Sequence, residues 1–64
     1  MLGWTMAMNF KEGASYIIGG ELRKVKFVTY DTPTCMLVHV EGRDRPFMLG
    51  PFMLYRKASP RNKK

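Results

Sequence analysis

The sequence predicts an all-β domain, and three observations carry that prediction. Short runs rich in β-branched and aromatic residues alternate with glycine and proline punctuation. The run Leu22–Tyr30, LRKVKFVTY, alternates as a half-buried strand does. No window carries an apolar stripe at the helical period.

The elements follow in chain order. Residues 1–12, MLGWTMAMNFKE, form an apolar leader. Gly13 precedes a short strand at Ala14–Ile18, which Gly19-Gly20 ends. Leu22–Tyr30 is the longest strand, with Val25 and Phe27 facing one way and Lys24, Lys26, Val28 and Tyr30 the other. Asp31-Thr32-Pro33 breaks it, because proline has no N–H for a ladder and restricts the residue before it. Cys35–Val40 is the next strand, in which Met36, Val38 and Val40 share a face. Glu41-Gly42-Arg43-Asp44 makes a tight hairpin turn, with glycine supplying a positive φ. Arg45–Leu49 returns antiparallel, and Gly50-Pro51 ends it. Phe52-Met53 fits one tight helical turn, and Leu54–Lys57 makes a last short strand. The expected organisation is therefore a leader at 1–12, a β domain at 13–58 and a disordered basic tail at 59–64.

The order of short strand, long strand, strand, hairpin, strand, helical turn and short strand resembles the SH3-like small barrel, the plan of SH3, Tudor and KOW domains. The stretch that carries the likeness is Val38–Tyr55, VHVEGRDRPFMLGPFMLY, which resembles the hairpin, helical turn and final strand of such barrels. The resemblance covers residues 13–57 and implies a five-stranded SH3-like barrel with one short 3-10 turn before the last strand. It is a likeness of pattern, and a fold of this kind does not name a function. The acidic and aromatic cluster of SH3 domains and the aromatic cage of Tudor domains are not assignable here. Type II dihydrofolate reductases resemble the same plan, but their Val-Gln-Ile-Tyr motif is matched only by Phe52-Met53-Leu54-Tyr55, so that activity is not expected.

Size bounds the remaining possibilities. A chain of 64 residues is one domain at most, and such a chain buries only about 60% of its unfolded surface. Cys35 is the only cysteine, so no intrachain disulfide can staple it. One cysteine and one histidine fall short of the four ligands of a structural zinc site, and no metal or cofactor is expected. Tight packing must serve instead, helped by a hydrophobic content of 45%; self-association is a second route. The leader lacks the positive start of a secretion signal. No run approaches the roughly 18 apolar residues of a membrane span. A soluble, cytoplasmic protein is the expectation, and a lone thiol suits a reducing compartment.

The formal charge is +6, but it is uneven. Residues 1–55 hold Lys11, Arg23, Lys24, Lys26, Arg43 and Arg45 against all five acids, a net of +1. Residues 56–64, RKASPRNKK, carry five basic residues and no acid. Such a tail attracts polyanions, and it also keeps a small protein in solution.

Catalysis is not supported. His39 and Cys35 share a strand face, yet four residues of strand separate them by about 13 Å, too far for a thiolate–imidazole pair. Glu41 and Asp44 flank a turn beside Arg43 and Arg45 and read as turn formers. Gly19-Gly20 lacks the Lys-Ser/Thr and helix of a phosphate loop.

The expected function is therefore a non-enzymatic nucleic-acid-binding accessory protein, for DNA or RNA, with phosphate contacts largely independent of sequence. Lys24, Lys26, Arg43, Arg45, Arg56 and Lys57 supply the charge, and Tyr30 or Tyr55 a stacking face. The alternative is a protein-interaction module that docks on a larger enzyme or complex, of the kind phages and mobile elements encode. Trp4 and Phe10 would then present the leader to a partner or a second copy; otherwise the leader covers the core.

Overall fold

The computed structural model describes residues 3–58, so the predicted basic tail at 59–64 lies outside the described residues. The fold is a mostly antiparallel β-sheet with one short helical turn. Among the described residues six strands form it: β1 (Trp4–Met6), β2 (Ser15–Ile18), β3 (Glu21–Thr32), β4 (Cys35–Val40), β5 (Phe47–Leu49) and β6 (Leu54–Lys57). Their order is β1-β6-β2-β3-β4-β5, with β1 and β5 as open edges. The all-β expectation holds. The five-stranded count does not, because the leader adds a strand: Trp4, Thr5 and Met6 stand opposite Arg56, Tyr55 and Leu54 of β6.

The 3-10 turn also lies elsewhere than expected. It spans Ala7–Asn9 in the leader, closed by the Phe10 N–H donating to the Ala7 carbonyl at 3.0 Å. Before β6 stands a simple turn instead, in which the Met53 N–H donates to the Gly50 carbonyl at 3.1 Å. The leader is bound to this turn by main-chain bonds from Ala7 N–H to the Met53 carbonyl and from Met8 N–H to the Pro51 carbonyl, each 2.9 Å. The leader thus satisfies its backbone against β6 and the turn that precedes it.

The core follows from strand alternation. In β4, Met36, Val38 and Val40 are all buried, as their common parity requires. Tyr16 and Ile18 of β2, Val25 of β3 and Ala7 of the leader complete the buried cluster, with Val28, Phe47, Leu49 and Tyr55 packed at its margin. Phe10 stacks on Tyr16 at 4.0 Å between centroids and meets Tyr55 edge-on at 5.6 Å. The Tyr16 hydroxyl, which would be costly to bury unpaired, accepts from the Lys11 N–H at 3.0 Å.

Strand β3 departs from simple alternation. A register shift between Val25 and Phe27 changes which parity faces the core. Val25 is buried before it and Val28 packs on the core after it, while Phe27 turns outward and stacks on His39 at 4.2 Å. The expectation that Val25 and Phe27 share a face is therefore corrected by the bulge. Nor does Asp31 end the strand: β3 runs to Thr32, and Pro33 sits inside the two-residue turn to Cys35, where a fixed φ helps and no N–H is required.

Gly19 and Gly20 form the two-residue loop between Ile18 and Glu21, with φ of 65° and 85°. Consecutive positive φ values define the turn whose twist matches the flanking strands. A Cβ on Gly20 would meet nothing within 4 Å, so any cost of substitution is backbone strain alone. Gly20→Ala is expected to destabilise by about 1–2 kcal/mol, seen as a lower urea midpoint with an unchanged slope; an unchanged midpoint would contradict this turn.

Candidate nucleic-acid interface

Residues directly opposite each other in antiparallel strands lie on one face of a sheet. Because Tyr16 and Ile18 point into the core, Ser15 and Ile17 point away from it. Ile17 stands opposite Leu22 on β3 and opposite Arg56 on β6, and Arg56 stands opposite Trp4 on β1. A single cross-strand row, Trp4–Arg56–Ile17–Leu22, thus runs over the outer face of four strands. Three steps between neighbouring strands make it about 14 Å long. Trp4 is 44% exposed and Leu22 61%. Met6 and Leu54 form a parallel pair beside Trp4, and Lys24, opposite Ser15, stands beside Leu22 on the same face.

The residues predicted from sequence as phosphate contacts divide into separate places. Lys24 and Arg56 join Trp4 on this face. Lys57 has the inward parity of Tyr16 but is exposed at the sheet's end. Lys26 lies in the irregular stretch between Val25 and Phe27, and is exposed. Tyr30 stands opposite Met36 towards the far end of β3, about 20 Å from Lys24 by strand rise. Arg43 and Arg45 lie in the hairpin between β4 and β5, where the Arg43 Nε donates to the Arg45 carbonyl at 3.0 Å. Of the two leader residues predicted to dock a partner, Trp4 is on the open face, while Phe10 is half-buried against Tyr16 and Tyr55.

Charge on the face is only lightly compensated. Lys24 Nζ lies 3.9 Å from Glu41 Oε2 with both side chains more than half exposed, a pair of little strength. Arg56 has no ion-pair partner among the described residues.

Sequence reasoning missed Arg23. Its guanidinium carbon lies 5.6 Å from the Phe47 ring centroid, and that of Arg43 lies 4.2 Å from the same centroid. A terminal nitrogen of Arg23 donates to Glu21 Oε1 at 2.6 Å. The available signal was parity: Arg23 shares the inward side with Val25, and an inward-pointing cation requires a partner.

Apolar side chains are exposed elsewhere too. Met8, Phe52 and Met53 are exposed at or beside the turn at Gly50–Met53, and Met48, opposite the half-buried Leu37, is exposed on the outer side of β5. No helix among the described residues is long and apolar enough to cross a membrane. No group of three or more histidine, cysteine, aspartate or glutamate side chains suited to a metal ion occurs among them. Comparison with protein-family models, with curated proteins and with solved structures finds no match to this chain.

Proposed function

We propose that the chain binds single-stranded nucleic acid, without strong sequence preference, on the outer sheet face that carries Trp4, Arg56, Ile17, Leu22 and Lys24. The observation that carries this reading is the pairing of Trp4 with Arg56 on an open face. Non-specific single-strand binding needs an aromatic or apolar platform for bases and a cation within reach of the adjoining phosphate. The row supplies both, and its apolar members favour unpaired bases over a closed duplex. The charge of the chain, +6 in all, adds long-range attraction. No catalytic step is part of this reading.

For the fold we propose the SH3-like plan as the underlying scaffold. Its support is the order β6-β2-β3-β4-β5 and the long β3, which pairs with β2 through Glu21–Lys24 and with β4 through Val25–Thr32. Strand β1 is then an addition at the β6 edge.

The experiment is anisotropy of a labelled single-stranded oligonucleotide at about 50 and 200 mM salt. Affinity is expected to fall steeply with salt, and Arg56→Gln to reduce the log–log slope by about one. Equal affinity at both salts would contradict the reading. It would favour the second one, protein docking, for which the exposed apolar side chains around Gly50–Met53 are the support.

A further inference from the structure

We propose that Arg23, Phe47 and Arg43 form a clamp for a backbone phosphate of the bound strand, a proposal that rests on the reading above. The row on the outer face ends at Leu22, and the next residue, Arg23, turns to the other side of β3. It meets Phe47 there, at the margin of the core, where Arg43 arrives from the β4–β5 hairpin. Among the described residues Glu21–Arg23 pair with β2 alone, because the ladder to β4 begins at Val25, so a strand that leaves the row at Leu22 and passes round that short unpaired side meets two guanidinium groups.

Three features suit this corner to an anion. Two like charges drawn to one ring repel each other, and an anion between them turns repulsion into attraction. The position over the Phe47 ring and the bond from Arg43 Nε to the Arg45 carbonyl hold that guanidinium in place. Its two terminal nitrogens have no acceptor among the described residues, and a fixed planar fork is suited to phosphate oxygens. Arg23 is incompletely satisfied as well: its Nε is shielded from solvent and donates to no acceptor among the described residues. Glu21 holds one of its other nitrogens, at 2.6 Å, and Glu21 is the more exposed partner, at 68% against 25%. The carboxylate thus competes with an incoming phosphate for Arg23 and can swing away into water.

Competition gives the test its sharpest arm. With the full chain and a labelled single-stranded oligonucleotide, Glu21→Gln is expected to tighten binding about two- to fivefold. A gain of affinity with an unchanged melting temperature excludes misfolding as its cause. Arg23→Gln and Arg43→Gln are each expected to weaken binding at least threefold and to lower the salt slope by about one. Arg43→Lys, which retains the charge but loses the fork and its place over the ring, is expected to lose most of what Arg43→Gln loses. The clamp is overturned, and the face left standing, if the wild-type chain binds while these four variants match it. If the wild-type chain binds no oligonucleotide, the clamp and the reading beneath it fall together.

Discussion

Replacing Met36 with alanine is expected to destabilise the fold by about 3 kcal/mol, within the usual 2–5 kcal/mol for emptying a buried methionine site. Met36 is 1% exposed and stands between Tyr30 of β3 and Leu49 of β5. Its loss would leave a void where three strands meet. A domain of this size has a total stability of roughly 3–10 kcal/mol, so one such void removes a large share of it. The melting temperature should fall by roughly 15 °C, at about 4–8 °C per kcal/mol for small domains. Met48→Ala is the matched control. Met48 is 69% exposed and faces Leu37 on the outer side, so its truncation should change stability by no more than about 0.5 kcal/mol. Thermal unfolding followed by circular dichroism distinguishes the two. A larger loss from Met48→Ala than from Met36→Ala would mean that the alternation in β4 and β5 faces the other way.

The second large effect concerns binding. Stacking of one base on an aromatic ring is worth about 1–3 kcal/mol, so Trp4→Ala is expected to weaken oligonucleotide binding by about 5- to 150-fold. Trp4→Phe should recover most of that loss, since a phenyl ring still offers a flat face. Neither change removes a charge, so the salt slope should stay as in the wild type. Arg56→Gln should do the reverse, changing the slope by about one. The two neighbours on the sheet thus carry separable contributions. A Trp4→Ala variant that binds as well as the wild type would remove the platform from the account.

What could be read from the sequence, and what could not, follows the range of the interactions. Strand β4 was legible to the residue, because Met36, Val38 and Val40 repeat at period two between clear breaks. The break at Gly19-Gly20 was legible from residue type, since consecutive positive φ values favour glycine, but that it is a two-residue hairpin loop was not. The bulge after Val25 was not, because nothing in LRKVKFVTY marks where an extra residue is accommodated; pairing with β4 decides it. Pro33 was given too long a reach, since a proline inside a turn shortens no strand when its missing N–H faces no partner. The 3-10 turn was placed on Phe52-Met53 by the local pattern, whereas main-chain bonds from the leader hold that segment as a simple turn.

The candidate site was less legible than the fold for the same reason. Lys24 and Arg56 were recognisable as exposed cations, and Trp4 as an apolar residue in need of a partner. That Trp4 and Arg56 stand side by side depends on β1 pairing with β6, the two ends of the described chain. No local pattern encodes such a contact. Tyr30 illustrates the opposite error: it shares a strand with Lys24 in the sequence but lies about 20 Å along it. Arg23 was passed over as one more surface cation because its inward parity was not weighed against the ring it meets.

Trp4 is the only tryptophan in the chain, so its emission reports on the proposed platform alone. The decisive measurement is the intrinsic fluorescence of the wild-type protein titrated with an unlabelled single-stranded oligonucleotide at about 50 mM salt. Emission should change with a saturating curve whose midpoint matches the dissociation constant from anisotropy, and it should return to its starting value as salt is raised. Tight, salt-sensitive binding that leaves the tryptophan emission unaltered would place the nucleic acid elsewhere on the protein and contradict the account.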